Sequence, residues 1–263
     1  MVGPPIVLLT DFGTKDHFVS AMKGVILSIN GDATIVDVTH EVPKFDVWTG
    51  GFLLYNAARF FPGGSIFVAV VDPEVGKGRK IVLLRTGDGK YFIAPDNGIL
   101  TFVFKMIGAE WVREVKNREL MMDEISPSFH GRDIMAPVAA HLSRGAKPEI
   151  VGPILKRIRL LPVRKPERSG RSIRGQVWHV DDFGNLITNI DMNFVGGISG
   201  GKINVCLPEK EFTAVLGKTF GDVRRGEIVA YMGSSGLLEI AKNRGNLALE
   251  ARVKTGQEII IRW

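Results

Sequence analysis

A chain of 263 residues, 45% of them hydrophobic, can form one large domain or two modest ones around a substantial core. It has no run of about 18 apolar residues to span a bilayer, and its single cysteine, Cys206, excludes an internal disulfide, which together point to a cytoplasmic protein with no membrane partner. The net charge of +6 is local: residues 156–174 hold eight Lys or Arg against one Glu, so the rest of the chain is close to neutral and a broad nucleic-acid groove is not expected.

The first half alternates apolar runs with helical spacing. PIVLLT (5–10) reads as a strand rather than a signal peptide, because an Asp follows a short apolar run with no basic residues before it. DHFVSAMKGVILSI (16–29) places Phe18, Met22, Val25, Ile26 and Ile29 on one helical face. ATIVDVTH (33–40) predicts a second strand, and DVWTGGFLLYNAARFF (46–61) a second helix stopped by PGG. SIFVAVVD (65–72) is the near-continuous run of a strand covered on both faces. KIVLLRT and KYFIAP flank the turn GDG as a hairpin, and 98–108 and 132–145 have helical patterns. This alternation predicts an α/β domain over residues 1–162 with a Rossmann-like, mostly parallel sheet.

Residues 163–171 continue the basic stretch and are expected to be a solvated linker. From 172 to 263 the texture changes to short strands between turn signals, among them KINVCL, FTAVL, EIVAYMG, LLEIAK and LEARVKTGQEIIIRW. A smaller, all-β barrel or sandwich domain is expected there.

In open α/β sheets ligands bind at the carboxyl ends of the strands, which directs attention to Asp11, Asp72, APDNG (94–98) and SFHGRD (128–133). Asp11 can accept hydrogen bonds from both ribose hydroxyls, or it caps the helix that follows. Asp72, Arg79 and His130 are the sharper set: a guanidinium keeps a carboxylate charged, and the carboxylate orients an imidazole or a water. The alternative is a structural ion pair with a capping histidine. A metal site is disfavoured, because no ligand spacing supports it and Arg79 stands beside the carboxylate. In the second domain, Phe183 and Asn185 of DDFGNLITN suit an adenine, by ring stacking and by a bidentate amide, or else mark a plain β-turn. Ser234, Ser235 and Glu239 offer hydroxyls and an acid for a zwitterionic ligand.

Six stretches, LLTDFGTKD, VDPEVGKGR, APDNG, FHGRD, DDFGNLITN and SSGLLEIA, occur in one order across nearly the whole chain. Together they resemble the S-adenosylmethionine hydroxide adenosyltransferase family, relatives of the fluorinases and chlorinases. The resemblance implies an α/β domain and a β-barrel, a homotrimer with S-adenosylmethionine bound between subunits, and water attack at C5′ giving adenosine and L-methionine, with no cofactor and no metal. It implies a catalytic triad of Asp72, Arg79 and His130, and a ribose carboxylate at Asp11. Phe45 takes the place of an aromatic against the ribose, Phe183 and Asn185 hold adenine, and Asp181 or Asp182 the methionine. Asn97 and Gly131, within APDNG and FHGRD, complete the expected substrate-binding residues with Ser234, Ser235 and Glu239. The halogenases carry Tyr at the position of His130 and Ser-Arg-Gly where this chain has Ser234-Ser235-Gly236, differences that favour water over halide. The competing readings are a halide-using adenosyltransferase and a non-enzymatic protein that binds an adenosine ligand or RNA.

Overall fold

The computed structural model describes residues 3–198 and 201–263. They form two compact units that divide between Leu161 and Pro162, each with its own core.

The first unit is a six-stranded sheet between helical layers. β1 (Ile6–Thr10) is buried throughout and sends Ile6 and Leu8 to one face, Val7 and Leu9 to the other. That double burial explains why its sequence is continuously apolar. β2 (Ile35–Thr39) and β3 (Ile66–Val70) flank β1 in parallel, and β5 (Tyr91–Pro95) continues the parallel run beside β3. β4 (Ile81–Thr86) is antiparallel to β5, as the hairpin pattern predicts, and β6 (Ala109–Glu114) closes the edge. The order is β2-β1-β3-β5-β4-β6, a mostly parallel sheet. β6 has no counterpart among the expected elements, because AEWVRE carries only one fully buried residue, Val112.

The helices fall on opposite faces. α1 (Phe18–Ile29) buries Met22 and Ile26 with α3 (Ala136–Ser143), and α2 (Val47–Ala58) buries Leu54 and Ala58 on the other side. α2 starts cleanly because Asp46 accepts the Thr49 N–H at 3.0 Å and its hydroxyl at 2.6 Å. The chain therefore leaves β1 over one face to reach β2 and returns over the other to reach β3. The carboxyl ends of β1 and β3 form a topological switch point, where open α/β sheets bind ligands. Residues 103–107 and 131–135 are π-helical turns, so the helical periodicity of both segments is correct in kind but wide in pitch.

The second unit is a barrel: β8 (Ser172–Val180), β9 (Leu186–Asp191), β10 (Lys202–Cys206), β11 (Glu211–Leu216), β12 (Ile228–Met232), β13 (Leu237–Lys242) and β14 (Glu258–Arg262) close through pairing of β14 with β8. Within the stretch expected as linker, Glu167–Ser169 form β7, which pairs with β8. Two short helices interrupt the strands: α4 (Met192–Val195) and α5 (Leu247–Ala251). α5 corrects the expectation of strand over LEARV; Asn246 accepts the Leu249 N–H and starts a helical turn that apolar content alone does not announce. No helix among the described residues is long and apolar enough to cross a membrane.

Gly51 of α2 lies so close to the turn after β5 that an added Cβ would stand 2.5 Å from the Ile99 carbonyl oxygen. Gly51→Ala is expected to lower stability by about 1–3 kcal/mol in chemical denaturation, the cost of overpacking; an unchanged midpoint would show that helix and turn can separate freely.

Candidate active site

A cleft of about 280 Å3 opens at the switch point of the first unit, lined among others by Asp11, Phe45, Asp72, Phe129, His130 and Gly131. Four of the six motif segments from the sequence lie in this unit, and three of them reach the cleft wall.

Asp72 follows β3 and is held by Arg79. Arg79 Nε donates to Asp72 Oδ2 at 2.7 Å and Nη2 donates to the same oxygen, with both side chains only 5–6% exposed. The other oxygen, Oδ1, accepts only the Glu74 N–H among the described residues, at 3.3 Å. Asp72 lines the cleft and Arg79 stands behind it. The loop between them turns through Gly76 at φ +78°, where a Cβ would stand 2.8 Å from the Pro127 carbonyl oxygen. Only glycine fits so close an approach, and it seats this loop against the segment that carries His130.

His130 directly precedes the π-helical turn Gly131–Met135, a local widening often found at functional sites. Burial, then the Arg79 charge, push its pKa below the ordinary 6.5, against smaller opposing effects of Asp72 and Asp133. The imidazole is therefore neutral at neutral pH. Its Nδ1 is buried without a hydrogen-bond partner among the described residues. The turn is anchored by Asp133, which accepts the Ser126 N–H at 2.8 Å and pairs with Arg132, itself stacked over Phe129 at 4.8 Å.

Asp11 is buried, and its Oδ2 accepts the Phe45 N–H at 2.8 Å. It caps no helix: α1 begins after His17 with no side-chain cap. The Lys44 ammonium donates to the Asp11 carbonyl. Phe45 sits at φ +66°, is 67% exposed and lines the cleft. A bulky side chain in the left-handed region, held there by a hydrogen bond to a buried carboxylate, is strain of the kind stored at functional sites. Asn97 is not on the cleft wall. Its Nδ2 donates to the Val71 carbonyl at 2.8 Å and its Oδ1 accepts the Ile99 N–H, so it braces the strand end next to Asp72.

Phe12, Phe18, Phe129 and Lys44 also line the cleft, and sequence reading missed them. The three phenylalanines form a T-shaped cluster with centroids 5.4–5.8 Å apart. Their signal in the sequence was adjacency to the motif residues, which looks the same as ordinary core packing.

The remaining candidates belong to the barrel. Asp181 Oδ1 accepts the Phe183 and Asn185 N–H groups and Oδ2 the Asn185 amide, so this carboxylate is committed to its own turn. Asp182 is exposed with no hydrogen bond or ion pair among the described residues. Phe183, 78% exposed, and Asn185 line a second cleft with Phe220, Lys242 and Arg244, three residues the sequence reading did not single out. Glu239 is buried and accepts the Tyr231 hydroxyl at 2.8 Å; burial pushes its pKa up, and the nearby Asp181 carboxylate adds to this. Ser234, exposed, and Ser235 lie in the turn before β13, whose Gly233 packs directly against Glu239.

Comparison with known proteins agrees across the chain. Residues 6–152 match the SAM hydroxide adenosyltransferase N-terminal domain and residues 175–260 its C-terminal domain. An (R)-S-adenosyl-L-methionine hydrolase from Salinispora tropica is 36% identical, covering 93% of this chain and 92% of the relative. A fluorinase from Nocardia brasiliensis is 31% identical over 98% and 97% of the two chains. The crystal structure of an uncharacterized conserved protein from Thermotoga maritima superimposes with a TM-score of 0.94 at 43% identity, covering 98% of this chain and 100% of that one.

Two measurements test this geometry. Phe45→Gly should be more stable than Phe45→Ala by about 1–2 kcal/mol in denaturant titration, because only glycine relieves left-handed strain; equal stabilities would mean the backbone is not strained. In an NMR titration the His130 midpoint should fall below 6.5 and rise in Arg79→Gln, since the repelling charge is removed. A midpoint at or above 6.5 would contradict the electrostatics.

Proposed function

The chain belongs to the SAM hydroxide adenosyltransferase family, and on that premise we propose that it hydrolyses S-adenosyl-L-methionine to adenosine and L-methionine. The observation that carries this reading is the meeting of Asp11, Asp72 and His130 on one cleft wall at the switch point.

A sulfonium leaves as a neutral thioether, so the reaction needs no general acid at the leaving group. The difficulty lies in the nucleophile, because bulk water has a pKa near ~15.7. Water must be placed in line with the C5′–S bond and relieved of a proton as it attacks. Asp72, fixed by Arg79 through one oxygen, presents its weakly engaged Oδ1 for orienting that water. His130, kept neutral by burial and by the Arg79 charge, is suited to take the proton. Orientation in a water-poor cleft supplies roughly 7 kcal/mol or more, and general-base assistance about 10²–10⁴-fold. A metal is not needed in this scheme, and the guanidinium on Asp72 disfavours one.

For the substrate, Asp11 would hold the ribose hydroxyls and Phe45 its face, with Gly131 on the same wall, its lack of a side chain letting the turn pack closely on Met22 and Val70. Asn97 acts indirectly, bracing the strand end that carries Asp72. Phe183 and Asn185 would take adenine. Asp182 is the better methionine-binding acid than Asp181, whose carboxylate is engaged in its turn; Ser234, Ser235 and Glu239 complete that end. Because these residues divide between the two units, a homotrimer that builds each site from two subunits fits the same reading. The relatives' name specifies the (R) form. A pyramidal sulfonium is a stereocentre, and a site that grips adenosine and methionine separately distinguishes its two hands. We assign the (R) epimer as the substrate.

The test is incubation of the purified protein with each sulfonium epimer, with and without chloride. The (R) epimer should give adenosine and methionine in equal amounts, unaffected by chloride. Asp72→Asn and His130→Gln should lower kcat by about 10²–10⁴-fold while retaining substrate binding. A 5′-chloro-5′-deoxyadenosine product would establish halide transfer instead, and parental rates in both variants would exclude the assigned residues.

A further inference from the structure

Asp11 depends on a residue outside the cleft. We propose that His40 is the positioning residue for the ribose carboxylate, clamping the loop Thr10–Gly13 from both sides; this rests on the reading of Asp11 as the ribose ligand. His40 is 5% exposed and follows β2, next to an irregularity in the β1–β2 register at Leu8/Leu9. Such breaks turn side chains toward sites at the ends of sheets.

On one side of Asp11, His40 Nδ1 lies 2.9 Å from Thr10 Oγ1, and that oxygen already accepts the Phe12 N–H at 3.2 Å. On the other side, the His40 carbonyl accepts the Gly13 N–H at 2.7 Å. The far nitrogen, Nε2, lies 3.1 Å from Asp37 Oδ1, too poorly aligned for a strong hydrogen bond yet close enough to keep a proton on that nitrogen. Asp37 is in turn fixed by Lys23 at 2.6 Å. With its proton on Nε2, His40 accepts at Nδ1, and the Thr10 hydroxyl donates to it. Thr10 is completely buried, so its hydroxyl is not presented to a ligand; its role is to hold the strand end on which Asp11 sits.

The two ring contacts can be separated. Asn at position 40 keeps an acceptor near the place of Nδ1, whereas Phe keeps the ring volume and loses both contacts. We expect His40→Phe to raise KM for S-adenosyl-L-methionine and the dissociation constant for adenosine about tenfold or more, with kcat little changed, and His40→Asn to restore both constants to near parental values. Amide hydrogen exchange in the 10–14 segment should accelerate in His40→Phe and stay parental in His40→Asn. Parental exchange or parental KM in a folded His40→Phe, or equal damage in both variants, overturns the proposal. A parental protein that does not turn over S-adenosyl-L-methionine refutes the reaction instead, and the exchange data still decide whether His40 positions the loop.

Discussion

The cleft depends first on one ion pair. Arg79 and Asp72 lie almost out of solvent, so each needs the other; removing one partner of such a pair costs about 3–5 kcal/mol. The pair also fixes geometry. Its two donors converge on a single carboxylate oxygen, leaving the other oxygen as the face presented at the end of β3. The loop that carries Arg79 back to Asp72 can pass against Pro127 only at Gly76, so its path sets the place of the segment ending in His130. Burial, with the Arg79 charge adding to it, then keeps that imidazole neutral. A single guanidinium thus orients one candidate group and reinforces the neutral state that burial gives the other.

The same wall carries strain. Phe45 is held in the left-handed region by a hydrogen bond to the buried Asp11, and its ring is left exposed. A protein without a use for an exposed phenylalanine there would place glycine. Asp11, Phe45 and the His40 clamp form one mechanical unit at the ends of β1 and β2, while Asp72, Arg79 and His130 form another at the end of β3. The first suits recognition and the second suits chemistry, and the switch point brings the two together. Recognition of adenine and methionine falls, on this reading, to the barrel, whose candidate residues sit in two turns, 181–185 and 233–236, and, for Glu239, in β13.

Most of the fold could be read in the sequence where burial writes a period. β1 and β3 are apolar because both faces are covered, and α1 shows its stripe because one face is. The edge strand β6 and the five-residue α5 escaped notice, one because a half-exposed strand carries a weak pattern, the other because its capping Asn246 outweighs its composition. At the site, Asp11 and Asp72 could be located because strand ends are predictable, and His130 because its segment opens a helical pattern. The use of Asn97 and Asp181 as braces could not, since it depends on which backbone groups lie opposite them. Nor could the aromatic cluster of Phe12, Phe18 and Phe129, which joins three segments only after folding.

What separates water attack at C5′ from every other fate of a sulfonium is the bond that the solvent oxygen enters. The most direct test is turnover in H2¹⁸O, with both products analysed by mass spectrometry. The account predicts one ¹⁸O in the 5′-hydroxyl of adenosine and none in methionine. Unlabelled adenosine, or a product in which carbon 5′ keeps its bond to sulfur, would contradict it.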